Sequence, residues 1–172
     1  DIIPSEKGDV FLAINKCIDI LESDSASDSE KSFYLKLLVH FVGDLHQPLH
    51  IGRYEDRGAN RVYVKWFGRN SNLHRVWDSD MINSHNMSYS ELAVNLPNPD
   101  FLVFTTEAKD FERADILDWV KEIHVYTNQI YAGVSVDDKL GYEYQYKNFG
   151  TVEELLLIGG IRLAKILNYL FD

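Results

Sequence analysis

Four of the six histidines lie between positions 40 and 74, and two aspartates stand among them at helical spacing. His40 and Asp44 are four residues apart, as are His74 and Asp78. On a helix this spacing puts both side chains of a pair on one face. Imidazole nitrogen and carboxylate oxygen are ordinary zinc ligands, with bonds of about 2.0–2.2 Å. One helical turn can deliver both to a single ion or to two neighbouring ions. The first pair lies in the very apolar run LLVHFVGDLHQPLH, residues 37–50. Burying two ionisable groups among Leu and Val without a partner is costly, and a metal ion would compensate them. Either pair taken singly reads more plainly as a surface or supporting hydrogen bond. Two pairs, with His50 just past a helix-ending proline, favour metal binding.

The elements that must position these residues are mainly helical. Val10, Phe11, Ile14, Ile18 and Leu21 recur at helical spacing and predict a helix over 8–22. The polar run SDSASDS then supplies N-cap residues for a second helix over about 29–46, which Pro48 ends or kinks. Residues 51–60 read as a turn-rich loop. Alternation over Arg61–Phe67 predicts a strand, with Gly68-Arg69-Asn70 as the turn of a small hairpin. Asn72 can cap a helix running to about Asn83, and Ser88-Tyr89-Ser90-Glu91 is a capping box, broken by Pro97 and Pro99. A long apolar pattern predicts a helix over about 105–132. Gly133–Gly141 reads as a loop, with irregular chain to about 148. Thr151-Val152-Glu153-Glu154 reads as a second capping box opening the last helix, to about Phe171.

The chain has 172 residues, a size that fits one domain with a substantial core. Hydrophobic residues at 45% and charged residues at 26% exclude general disorder. No apolar run is long enough to span a membrane, and no membrane partner is expected. Cys17 is the only cysteine, which excludes an internal disulfide and a cysteine-based zinc site. A net charge of −10 argues against a broad basic surface for polyanions, so nucleic-acid chemistry here would need positive charge from metal ions. Asp1-Ile2-Ile3-Pro4 does not read as a signal peptide, nor as a natural beginning.

Four segments together are recognisable. Residues 40–50, HFVGDLHQPLH, resemble the HFxGDxHQPLH hallmark of the S1/P1 nuclease family. Residues 56–60, DRGAN, resemble its D-x-G-G-N turn, and residues 72–78, NLHRVWD, its NLHxxWD segment. Gly159-Gly160-Ile161-Arg162-Leu163-Ala164, with Leu167-Asn168, resembles its closing helix. The resemblance covers essentially the whole chain in the family's order. It implies a mainly α phospholipase C/P1 nuclease-like fold and a secreted or periplasmic enzyme. The implied chemistry is hydrolysis of single-stranded DNA and RNA to 5′-phosphorylated products by a trinuclear zinc cluster, with 3′-nucleotidase activity on nucleotides. Carried over by position, His50, His74 and Asp78 form one complete zinc site. His40 ligates a second zinc, and Asp44 bridges the second and third as the catalytic carboxylate.

The resemblance also implies departures. Family members begin with a tryptophan and further ligands that precede the segment where this sequence starts. The expectation is a single incomplete domain over 1–172, roughly the N-terminal third being absent. It carries one complete zinc site, is a poor enzyme by itself, and has an apolar surface exposed beside His40 and Asp44. Ala59 stands where the family usually has glycine, and Cys17 is expected as a buried thiol unless a cysteine outside the chain pairs with it. His46 is expected to be structural or to support ligands. His85 and His124 are read as structural or surface residues, Trp77 as core, and Arg162 as an ion-pair partner. Tyr54 and Tyr63 are candidates for base stacking. Arg53 and Arg57 are candidates for phosphate contact, with solvent-exposed arginine the commoner outcome. Two alternative functions remain: a zinc phospholipase C-like lipid phosphodiesterase, against which Asp78 in place of Glu argues, and a non-catalytic zinc-binding fragment.

Overall fold

The computed structural model describes residues 9–96 and 111–172. Helix α1 (Val10–Glu22) begins where the Asp9 carboxylate accepts the Leu12 N–H at 2.9 Å. It buries Ile14, Cys17, Ile18 and Leu21 on one stripe. Helix α2 (Asp28–Leu45) opens on a capping box between Ser27 and Glu30 and buries Leu38, Val42 and Leu45. Those positions, at i, i+4 and i+7, are one helical face. His40, Gly43 and Asp44 fall outside it and stay partly or largely exposed. Pro48 opens a single 3-10 turn, Pro48–Ile51, that carries His50.

Strand β1 (Tyr63–Trp66) pairs antiparallel with β2 (Arg69–Asn72). The turn consists of Phe67 and Gly68, both at positive φ (46° and 80°), so Arg69 and Asn70 belong to the second strand and not to the turn. Two left-handed residues match the twist of a two-residue hairpin. The sequence shows only Gly68 as a natural occupant, which shifted the expected turn by one position. A third strand, β3 (Lys139–Leu140), joins the other edge of β1 in parallel. It lies in a stretch expected to be loop, and two residues are too few to carry an alternation.

Asn72 caps a helical stretch made of α3 (Leu73–Arg75), a π turn (Val76–Asp80) and α4 (Met81–His85). Ser88 and Glu91 form the expected capping box of α5 (Tyr89–Asn95). Pro97, Pro99 and residues 105–110 of the expected long helix lie outside the described residues. Helix α6 runs Asp115–Ala132. Phe111, although buried, precedes it, because Asp115 turns back to accept the Glu112 N–H at 3.0 Å.

Helix α7 (Tyr142–Phe171) starts nine residues before the Thr151 box, which is interior helix. Phe149, Val152, Leu155, Ile158, Arg162 and Ile166 are buried along one stripe. That stripe extends into residues whose glycine and polar neighbours suggested a loop. Gly150 lies mid-helix, exposed, with nothing within 4 Å of where a Cβ would stand. Gly150→Ala should therefore stabilise the chain by about 1 kcal/mol, seen as a higher urea midpoint with an unchanged slope.

The core forms two clusters. Residues of α1, α2 and α6 with Phe111 and Ile166 make one, and the hairpin, the 73–85 stretch, Ile130 and Phe149 make the other. The chain crosses between them at residues 45–49, since Leu45 belongs to the first and Leu49 to the second. The buried polar side chains His46, Thr127 and Arg162 gather at this crossing. Thr127 Oγ1 donates to Pro48 O at 2.6 Å and so fixes the turn that presents His50. Cys17 is a buried free thiol whose pKa is pushed up by burial.

Candidate metal centre

Three segments meet at the crossing. The end of α2 brings Asp44, the 3-10 turn brings His50, and the 73–85 stretch brings His74 and Asp78. One donor atom each of His50, His74 and Asp78 lies within 4.8 Å of the other two. His50 Nε2 is 3.3 Å from Asp78 Oδ1. Tetrahedral ligands at about 2.0–2.1 Å from zinc are separated from one another by roughly 3.3 Å, so this edge already has a coordination sphere's dimension. The two imidazoles are nearly parallel, with ring centroids 5.1 Å apart. Two neutral imidazoles and one carboxylate are a donor set that suits zinc. Asp44 stands next to this triad, with one oxygen 3.5 Å from His50 Nδ1 and the other 3.2 Å from His40 Nε2. It can therefore orient the His50 ring from behind, and with His40 it offers two donors at the same kind of spacing. His40 is the most open of the five, its side chain 64% exposed.

His74 is held by backbone. Its Nδ1 lies 2.7 Å from Gly58 O, so Nδ1–H donates there and Nε2 is left for a metal. Gly58 belongs to a turn in which Arg57, Gly58 and Ala59 all have positive φ (57°, 61° and 64°). Asp56 ties the turn down, its Oδ1 accepting the Ala59 N–H and the Tyr131 hydroxyl, each at 2.7 Å. Burial first, then the Asp56 carboxylate, pushes the Tyr131 phenol up to about 12. Ala59 does occupy a left-handed position, at a cost of about 1 kcal/mol. Its methyl group is buried in the second core cluster, where packing offsets part of that cost.

Asp78 reaches the triad from the π turn, in which Met81 N–H bonds to Val76 O five residues back. Trp77, next to it, is buried in the core and donates from Nε1 to Tyr144 OH at 2.9 Å. Asp80 pins the turn by accepting from Ser71 Oγ at 2.7 Å and Arg75 Nε at 3.2 Å. Sequence reasoning missed the π turn and the roles of Tyr131, Thr127 and Asp80. Only the polar identity of Thr127 and Tyr131 on an otherwise apolar helix face hinted at them.

His46 does not face the triad. It is buried, with Nδ1 donating to Val42 O at 2.7 Å and Nε2 accepting from Arg162 Nη1 at 3.1 Å. Arg162 also pairs with Glu122 and lies over the Trp119 ring. Gly159 makes room, because a Cβ there would stand 3.1 Å from His46 Cγ. The glycine and arginine of the closing-helix motif thus serve the same imidazole. Burial, and then the Arg162 charge, lowers the His46 pKa to about 4, against the Val42 hydrogen bond that raises it. The folded value lies below the unfolded one, so the neutral ring's contribution is fully present above about pH 6.5. It is lost as pH falls towards 4, a loss of about 3 kcal/mol. Urea midpoints should drop across that window, and less so in His46→Gln.

His85 stacks on Phe149 at 4.0 Å, and His124 is an exposed residue of α6. Tyr54 and Tyr63 are both exposed. Beside Asp44 lies an apolar-walled cleft of about 330 Å³, lined by Val39, Gly43, Leu155, Leu156 and Leu163 among others. Val39 and Leu156 are 46% and 41% exposed, so apolar surface is open there.

Comparison of the sequence with known proteins places the chain in a class of nucleases. The S1/P1 nuclease family profile matches residues 2–172. Endonuclease 2 of Arabidopsis thaliana is 29% identical over 91% of this chain and 59% of its own length. Endonuclease 5 of the same plant is 34% identical over 80% of this chain and 51% of its own. Nuclease S1 of Aspergillus oryzae is 30% identical over 84% of this chain and 56% of its own. The chain belongs to the S1/P1 nuclease family. It spans about half the length of the curated relatives it matches.

Proposed function

We propose that the protein is a zinc-dependent phosphodiesterase that hydrolyses single-stranded DNA and RNA to 5′-phosphorylated products and removes 3′-phosphates from nucleotides, acting outside the cytoplasm. The observation that carries this reading is the triangle of His50, His74 and Asp78 in a chain of this family. Zinc held there would polarise a phosphate oxygen and activate water at neutral pH. The protein's own residues supply the rest. Gly58 O fixes the tautomer of His74, and Asp44 orients His50. Asp44 is also the carboxylate best placed to accept a proton beside the triad. Among the described residues only one complete three-ligand group is present, which supports about one tightly bound zinc per chain. His40 and Asp44 give two donors of a second site.

The test is hydrolysis of a single-stranded oligonucleotide beside its duplex by the purified protein. Chelation should abolish activity and zinc should restore it. Hydrolysis of a phosphatidylcholine substrate in place of the oligonucleotide would favour the phospholipase alternative. Stoichiometric zinc without hydrolysis of either substrate would favour the non-catalytic zinc-binding alternative.

A further inference from the structure

The loop that supports His74 carries charge on its outer side. A second cleft, of about 660 Å³, opens from His50 along Arg53, Tyr54, Glu55, Arg57 and Arg61. Three guanidinium groups thus face one carboxylate in a chain whose net charge is −10. The neighbouring Asp56 carboxylate does not cancel them, since it is turned inward to Ala59 N–H and Tyr131 OH. Arg53 is held over the Tyr131 ring, 4.2 Å from its centroid. Arg61 donates from Nη1 to Glu55 O at 3.0 Å. Among the described residues Arg57 has no ion-pair partner, and it projects from a left-handed backbone position. The loop is well fixed. Gly58 N–H bonds to Arg53 O at 2.8 Å and Arg61 N–H to Asp56 O at 3.0 Å. Tyr54 is 93% exposed beside these groups.

We propose that residues 52–61 form a strand-binding arm, in which Arg53, Arg57 and Arg61 take the phosphates adjoining the one at the metal triad and Tyr54 lies against a base. This rests on the nuclease reading above and adds the place where a polynucleotide, as distinct from a mononucleotide, is gripped. Guanidinium is suited to phosphate because its fork can bond two oxygens at once. A charged groove with an aromatic platform is how single strands are bound without base selection. His50 lines both this cleft and the cleft beside Asp44, so the arm adjoins the triad directly. The arm and the His74 support share one backbone, since Gly58 O accepts from His74 and follows Arg57 directly.

Binding of a labelled single-stranded phosphorothioate oligonucleotide to the zinc-loaded chain, followed by anisotropy across a salt series, tests this. Each phosphate neutralised on a single strand contributes about −0.7 to the slope of log affinity on log salt. In Arg53→Gln/Arg57→Gln/Arg61→Gln the slope should fall by about 2 in magnitude and low-salt affinity by at least about tenfold. Zinc content and urea midpoint should match the parent. Arg57→Gln alone should remove about 0.7 of the slope, Arg57→Lys should retain it, and Lys147→Gln, on α7 and outside the arm's cleft, should change nothing. An oligonucleotide-binding parent whose slope survives the triple substitution would sink the arm and leave the nuclease reading standing. A parent that binds zinc but no oligonucleotide would sink both. Arginine-dependent binding to phosphatidylserine vesicles, with oligonucleotide binding unaffected, would assign the arm to a membrane and overturn the proposal.

Discussion

His74→Ala should leave the chain folded and without zinc. The side chain is only partly buried, and its removal leaves Gly58 O free to meet water, so the stability cost is small. The metal cost is large. Losing a hydrogen-bond partner of a ligand typically lowers metal affinity by about 10–100-fold, and here the ligand itself goes, so the loss should exceed that range. Elemental analysis should fall from about one zinc per chain to none after dialysis. His40→Ala should keep that zinc, because His40 lies outside the triad and is open to solvent. Retention of stoichiometric zinc by His74→Ala would show that the triad is not the site. Loss of it in His40→Ala would show that the His40–Asp44 pair is the stronger site.

Gly58→Ala should cost both fold and metal. Gly58 has φ +61°, and a Cβ there would stand 2.2 Å from Leu49 O. The left-handed backbone alone costs an alanine about 1–2 kcal/mol. The clash is with backbone, not a flexible side-chain tip, and Leu49 O already accepts the Gly52 N–H at 3.1 Å, so it has little room to yield. A total of about 3 kcal/mol or more is expected, read as a lower urea midpoint. Moving the turn also moves the carbonyl that orients His74, so the zinc affinity of whatever still folds should drop by about 10–100-fold. A variant with parental stability and parental zinc affinity would mean that the turn yields freely and that Gly58 supports neither.

Much of the candidate site was legible because its residues are polar, closely spaced and out of keeping with apolar neighbours. His40, Asp44, His50, His74 and Asp78 stand out for that reason, and the structure brings them together. The supports were not legible. Thr127 and Tyr131 lie on α6, more than 70 residues from the backbone and side-chain groups they hold, and no local pattern couples such positions. The fold divides in the same way. Helices α1 and α2 have clean stripes and local caps. The start of α7 is not readable locally, because Thr151-x-x-Glu154 imitates a cap within a helix, whereas burial of Phe149 decides the outcome. Strand β3 exists because β1 has a vacant edge: Lys65 and Phe67 N–H bond to Asp138 and Leu140 O at 2.8 and 2.9 Å. That is a property of the partner and not of residues 139–140. The π turn adds a residue without changing hydropathy, so periodicity does not register it.

The long reach of these supports has a consequence for the order of assembly. All five candidate ligands are synthesised by residue 78, with near supports such as Gly58 and Asp80 beside them, while Thr127 and Tyr131, which tie down the turns carrying His50 and supporting His74, arrive much later. The parallel pairing of β1 waits for residues 139–140 in the same way. Contacts of such sequence separation close late, after local helices have formed. A nascent chain therefore presents His40, His50 and His74 before the turns that position His50 and His74 are tied down from α6, and the final geometry of the group waits for the later helices.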